Sequence, residues 1–241
     1  MSKGFQFKQF FIEHDKCAMK VGTDSIMLGS WVDVADSKRI LDIGTGSGIL
    51  ALMLAQKSVD DCLITGIDVD ANACLQANRN ALASPWSSQL NIRKISLQDF
   101  QAETRFDLIV SNPPYFEVYG RSNERGKVAC EQRTKARQVS ELTHLQLMQQ
   151  VASLLSTNGR FCCILPVEGS AVIVAYAAEL GLHCRRRLKV KAKPDGKTIR
   201  HLLEFSRLSD LSEQNNLSIY DQEQQYSRDY KTLCREFYQK F

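Results

Sequence analysis

Leu41-Asp42-Ile43-Gly44-Thr45-Gly46-Ser47-Gly48 joins an apolar run to a helical one. Arg39 to Ile43 reads as a buried strand, and Leu50, Leu52, Met53, Leu54 and Ala55 mark the helix that follows. A strand that enters a helix through a glycine turn is the opening unit of a βαβ fold. The alternation then continues. Strands are expected at Cys62 to Ile67, Leu90 to Ile95, Phe106 to Val110 and Phe161 to Leu165. Helices are expected at Ala71 to Ala83, with Pro85 beyond its end, at Val139 to Leu155, stopped by Asn158-Gly159, and at Gly169 to Leu180. Two last strands are placed at Cys184 to Val190 and Thr198 to Phe205. This pattern predicts an α/β fold with a mainly parallel sheet and helices on both faces. Ligands of such sheets bind outside the carboxyl ends of the strands.

The 241 residues suffice for one domain with a sizeable core. No apolar run approaches the roughly 20 residues that span a bilayer. Lys3 and Lys8 have no apolar stretch behind them, so no secretory signal is read and a cytoplasmic protein is expected. The eight cysteines include no C-x-x-C pair, which leaves zinc and dithiol chemistry without support. Reduced, buried thiols are the reading, with no metal. The net charge of +4 is modest but uneven. One basic cluster holds Arg121, Arg125, Lys127, Arg133, Lys135 and Arg137. A second holds Arg185, Arg186, Arg187, Lys189, Lys191, Lys193, Lys197 and Arg200. Such density suits either a polyanionic partner or a solvated surface.

The glycine loop alone is a weak signal, and its neighbours narrow it. The spacing is G-x-G-x-G, and Ile49 stands where a dinucleotide fingerprint requires glycine. Asp42 places a carboxylate before the loop, unwelcome to a pyrophosphate and suited to the cationic end of a sulfonium amino acid. Asp68 ends the second strand, where it can accept from both hydroxyls of a ribose. Asp99 follows the third strand and is placed to accept from an adenine amino group. Singly, Asp68 and Asp99 could be caps or turn residues; their order with Asp42 and the loop argues otherwise. The pattern resembles the class I S-adenosylmethionine-dependent methyltransferases over roughly residues 20–207. That resemblance implies a Rossmann-like seven-stranded sheet, mostly parallel with an antiparallel last strand. It also implies that Gly44, Gly46 and Gly48 pack near the amino acid part of the donor and that Asp68 holds its ribose.

Asn112-Pro113-Pro114-Tyr115 follows the fourth strand. An exocyclic amine on a purine is a poor nucleophile because its lone pair is delocalised into the ring. Two acceptors bonded to its N–H groups favour a pyramidal nitrogen and free that pair. The Asn112 side-chain oxygen and the Pro113 carbonyl supply them, the latter held by two stiff residues. Tyr115 offers a flat face for the target ring. The motif resembles that of N6-adenine and N5-glutamine methyltransferases, whose substrates both present a planar NH2, so it does not choose between them.

Phe7-Lys8-Gln9-Phe10-Phe11, then His14 to Asp24, and the closing Tyr226-Ser227-Arg228-Asp229-Tyr230 and Phe237-Tyr238 carry a closer resemblance. Nearly end to end the chain is similar to the bacterial tRNA1(Val) adenine-37 N6-methyltransferase family. This implies tRNA as partner, with the segment of Lys20, Gly22 and Thr23 closing over the donor. Thr23 also reads as an N-cap for a helix from Ser25 to Trp31. One departure is Asp68, where relatives often carry glutamate. The basic clusters would then flank the active-site mouth and hold the anticodon arm. A single domain is expected, with residues 1–37 closing over donor and substrate, 38–207 as core and 208–241 as an extension. A monomer is favoured. The rivals are an N5-glutamine protein methyltransferase, which usually carries an N-terminal helical domain that residues 1–37 do not form, a methyltransferase of another base, and a non-catalytic RNA-binding protein.

Overall fold

The computed structural model describes residues 4–15, 21–113, 143–209 and 212–241. Its strands are β1 (Gly4–Gln6), β2 (Phe11–Glu13), β3 (Arg39–Ile43), β4 (Leu63–Asp68), β5 (Leu90–Lys94), β6 (Phe106–Ser111), β7 (Leu155–Pro166), β8 (His183–Lys191), β9 (Thr198–Ser206) and β10 (Glu213–Ser218). Its α-helices are α1 (Thr23–Trp31), α2 (Ile49–Lys57), α3 (Ala71–Leu82), α4 (His144–Leu154), α5 (Val167–Glu179) and α6 (Arg228–Cys234).

The main sheet runs β10-β8-β9-β7-β6-β3-β4-β5. Every pairing is parallel except those of β9, which is antiparallel to both β7 and β8. The seven expected strands are all present, and β9 is the antiparallel last of them. An eighth, β10, adds to the edge beside β8. Its sequence, Glu-Gln-Asn-Asn-Leu-Ser, buries only Leu217 fully. It forms through backbone hydrogen bonds to β8, with almost no apolar signal of its own. The β1–β2 hairpin, joined by Phe7-Lys8-Gln9-Phe10, is a separate antiparallel pair.

The two faces of the sheet are two cores. On one, Ile40, Ile64, Leu108, Val110, Ile164 and Leu202 pack with Ile26 and Leu28 of α1, Leu50 and Leu54 of α2 and Tyr230 of α6. On the other, Leu41, Ile43, Ile109, Phe161, Leu203 and Phe205 pack with Leu147 and Val151 of α4 and Ile173 of α5. Successive strand residues thus alternate between the two helical layers.

Two local expectations need correcting. Helix α4 starts at His144, because Thr143 and Gln146 form a reciprocal capping box at its N-terminus. It also ends before Asn158-Gly159. Leu155 already has extended backbone and opens β7, and Asn158-Gly159 lies where the β6–β7 register shifts. Gly159 is required there, since a Cβ would sit 2.8 Å from the Phe106 carbonyl oxygen. Thr23, in turn, is the first residue of α1 and not its cap. Gly22 holds the cap position without a side-chain bond.

All six cysteines among the described residues are free. Burial pushes the Cys162 and Cys163 thiols up from their ordinary value, which keeps them unreactive.

Candidate active site

Strand order reverses between β3 and β6: from β3 the chain builds towards β4 and β5, and from β6 towards β7 and β9. A crevice opens at such a switch point, beyond the carboxyl ends of the two strands. The glycine loop follows β3, and Asn112 follows β6. The glycine loop and Asn112 therefore come together at a place where this topology makes a ligand site.

The loop is pinned from three sides. Gly44 and Thr45 both donate backbone N–H bonds to the Ile67 carbonyl, at 2.9 and 3.0 Å. The Gly46 N–H donates to Asp68 Oδ2 at 2.9 Å, and the Thr45 hydroxyl donates to Asp42 Oδ2 at 2.7 Å. Gly48 has φ +83, and a Cβ there would meet the Ala77 Cβ of α3 at 3.2 Å. Glycine alone combines that left-handed backbone with so close a helix. A Cβ on Gly44, by contrast, would meet nothing within 4 Å. The loop thus presents open space on its outer side while its inner side is packed.

The three acidic residues differ in exposure. Asp42 shares its face of β3 with Ile40 and lies beneath the loop, 0% exposed. Its Oδ1 is buried. Burial pushes its carboxyl up to about 7, against the opposing bonds from the Thr45 hydroxyl and the Ala51 backbone N–H. Asp68 is half-buried. Its Oδ1 accepts from the Asp70 N–H at 2.9 Å, so the carboxylate is held by main chain on both oxygens. Asp99 is exposed, and the Ser96 hydroxyl donates to it at 2.6 Å.

Asn112 comes off β6 on the face that α1 covers. Its Nδ2 donates to the Ser25 hydroxyl at 2.9 Å, whereas its Oδ1 is buried and has no hydrogen-bond partner among the described residues. Pro113 is buried behind it. Ser25 is not marked by the sequence pattern, because it lies 87 residues from Asn112. Gly22 and Thr23, at the start of the same helix, are exposed. Asp24 ties that end to the sheet through a 2.9 Å ion pair with Arg200. Lys20, Pro114, Tyr115 and the basic residues Arg121, Arg125, Lys127, Arg133 and Arg137 lie outside the described residues.

Strand pairing divides the second basic cluster. Ser111 pairs with Cys163, Cys163 with Leu203 and Leu203 with Arg187, so Arg187 stands in the same cross-strand row as Ser111. Three strand spacings separate them, roughly 14 Å. Lys189 and Lys191 lie further towards the carboxyl edge on the same face. Arg185 sits where the β8 register shifts. Arg186 is turned to the opposite face, where Glu204 pairs with it at 2.9 Å and the Trp31 ring lies 4.4 Å from its guanidinium carbon. Glu204, 6% exposed at its side chain, also faces Arg160 at 3.9 Å. Arg186 therefore serves an internal charge pair in this fold.

No helix among the described residues is long and apolar enough to cross a membrane. Among them, no group of three or more His, Cys, Asp or Glu is placed to hold a metal ion.

The family described as "Methyltransferase small domain" matches residues 17–139. Solved structures share the fold at low identity. A predicted O-methyltransferase from Agrobacterium tumefaciens superposes with TM-score 0.65 at 15% identity, covering 89% of this chain and 96% of that one. A ribosomal protein L11 methylase from Lactobacillus delbrueckii subsp. bulgaricus gives 0.54 at 20%, with 76% of each chain covered. Sequence relatives are much nearer. A tRNA1(Val) (adenine(37)-N6)-methyltransferase of Pseudoalteromonas atlantica is 46% identical, with 99% of each chain covered. Proteins of the same name from Salmonella enteritidis and Bacteroides thetaiotaomicron are 42% and 41% identical, covering 98% and 97% of this chain and 94% and 96% of their own. With its glycine loop and Asn112 at a class I switch point, the chain belongs to the tRNA1(Val) (adenine(37)-N6)-methyltransferase family.

Proposed function

We propose that this chain transfers a methyl group from S-adenosylmethionine to the N6 amine of adenine 37 in the anticodon loop of tRNA1(Val). The observation that carries this reading is the Oδ1 of Asn112, just past the end of β6, which is buried and without a partner among the described residues. A buried acceptor without a partner costs about 1–3 kcal/mol. The cost is recovered when an N–H of the acceptor base meets it.

The residues present fit the methyl donor. The space over Gly44 and Gly46 admits its amino acid part, and half-buried Asp68 faces the ribose position with its oxygens already oriented. Asp99 is the adenine acceptor of this proposal, and Lys20, Gly22 and Thr23 cover the donor. Asp42, bonded to Thr45, supports the loop from below. When bound, the donor supplies an electrophilic methyl group on a sulfonium sulfur.

Asn112 Oδ1 and the Pro113 carbonyl accept from the two N–H groups of the target amine. They favour its pyramidal form and oppose the positive charge that grows on nitrogen as its bond to carbon forms. The methylated nitrogen then gives a proton to water, so no strong general base is required. Pro114 stiffens the turn, and Tyr115 stacks on the adenine once the base is turned out of the anticodon loop, worth roughly 1–3 kcal/mol. The whole chain acts as one methyltransferase domain, and a tRNA substrate places it in the cytoplasm.

The test supplies radiolabelled donor with total tRNA, ribosomal RNA, DNA and release factors in separate reactions. The expected result is label in N6-methyladenine from tRNA alone, mapping to position 37 of tRNA1(Val). Label in protein, in another nucleic acid, or in none of the four overturns the reading.

On the RNA surface, Arg187, Lys189 and Lys191 would meet phosphates, together with Arg121, Arg125, Lys127, Arg133 and Arg137. Changing Arg187, Lys189 and Lys191 together to glutamine is expected to flatten the dependence of log affinity on log salt. The slope should fall by roughly 0.7–0.9 for each phosphate that the variant no longer neutralises. An unchanged slope places the RNA elsewhere. Arg186→Gln is expected to lower thermal stability instead, because it takes from Glu204 its 2.9 Å partner and leaves it the longer 3.9 Å pair with Arg160.

A further inference from the structure

The two ends of the Asn112 side-chain amide are alike in shape and opposite in chemistry. Oδ1 accepts a hydrogen bond, and Nδ2 only donates. If Nδ2 faced a substrate amine, N–H would oppose N–H, and the site would repel the group it must bind. Nothing in the four residues from Asn112 to Tyr115 decides between these orientations, which differ by a half-turn of the amide. In the structure the amide stands in the accepting orientation, anchored by a distant residue. The Ser25 hydroxyl of α1 accepts from Nδ2 at 2.9 Å, and Oδ1 is left buried without a partner among the described residues.

We infer that Ser25 is a positioning residue, holding the Asn112 amide with its oxygen towards the amine to be methylated. The inference deepens the proposed function and rests on it. Three observations bear on it. Ser25 stands in the first turn of α1, where the helix start is tied to the sheet by the Asp24–Arg200 ion pair at 2.9 Å. The hydroxyl is thus held in place relative to β6. Ser25 also bonds the one end of the amide that the chemistry does not use. The hydrogen bond it accepts draws electron density through the amide towards Oδ1, which strengthens that oxygen as an acceptor. Removing the hydroxyl takes away that anchor, and an amide turned out of this position fails as an acceptor even though Asn112 itself is present.

The experiment compares Ser25→Ala and Ser25→Thr with the unaltered chain, using the substrate that the unaltered chain methylates. The Ser25→Ala chain is expected to lose about 10- to 100-fold in kcat, the range of a positioning group removed beside a catalytic one. Its Kd for S-adenosylmethionine and for tRNA should stay within about twofold. Ser25→Thr, which keeps the hydroxyl, should recover most of kcat. In an Asn112→Ala background the Ser25→Ala change should have no further effect, because the two act as a unit. An unchanged kcat in Ser25→Ala overturns the inference. So does a loss that Ser25→Thr fails to restore, or one matched by equal weakening of donor binding, which marks a structural role. The identity of the substrate is judged on the unaltered chain alone. A planar NH2 on another molecule would overturn the adenine-37 reading and leave the Ser25 ratio to be measured on that molecule.

Discussion

Asn112→Ala is expected to lower kcat by about a hundred- to a thousand-fold, as removal of one preorganised partner of a developing charge does elsewhere. The donor Kd should stay within about twofold, since the proposed function assigns the side-chain oxygen to the amine to be methylated and not to the donor. The same change carries a second expectation of opposite sign. Among the described residues the Asn112 side chain keeps one hydrogen bond, to Ser25, and leaves Oδ1 buried and unpaired. Losing the bond costs about 1 kcal/mol, and removing the stranded acceptor returns about 1–3 kcal/mol. The variant should therefore be at least as stable as the parent. Thermal melts and donor titrations on one preparation check both halves. A variant that melts well below the parent, or that no longer binds the donor, would make Asn112 a packing or cofactor residue. Its activity loss would then say nothing about the amine.

Much of this architecture can be read locally, and the exceptions share a cause. The central strands follow apolar runs buried on both faces, as in Ile40 to Ile43 and Phe106 to Val110, so their positions emerge to within a residue or two. The glycine loop and Asn112 are legible because each is a short motif at a strand end, and the parallel topology then brings them together. What escapes depends on partners far along the chain. Strand β10 is polar and is ordered by pairing with β8. The basic run at 185–187 looks like one surface, yet the register shift between Cys184 and Arg186 turns Arg186 onto the face of Glu204 and Trp31. Ser25 carries no mark in its own surroundings. Its meaning comes from a hydroxyl that meets the Asn112 amide at 2.9 Å, and only the packing of α1 against the sheet brings the two together. Exposed Thr23 has the composition of a cap, but Gly22 takes the place because α1 starts one residue sooner than a threonine cap requires.

Asp42→Asn is expected to stabilise the protein, and by an amount that grows with pH. Burial holds the Asp42 carboxyl up at about 7, while the same group in the unfolded chain titrates near its ordinary value of 3.8. The folded form therefore binds a proton that the unfolded form has released, across the interval between those values. Folding is favoured by this group below about pH 4 and progressively disfavoured as pH rises towards 7, where the loss levels off. One pKa unit corresponds to about 1.4 kcal/mol, so the full penalty approaches about 4 kcal/mol. Asparagine matches the shape, can accept the Thr45 hydroxyl and does not ionise. The unfolding free energy of Asp42→Asn minus that of the parent should thus rise by about 2–3 kcal/mol between about pH 5 and about pH 8. Urea unfolding of both proteins at the two pH values measures it. A difference that stays level would mean that the Asp42 carboxylate is already ionised throughout this range, its charge stabilised within the fold.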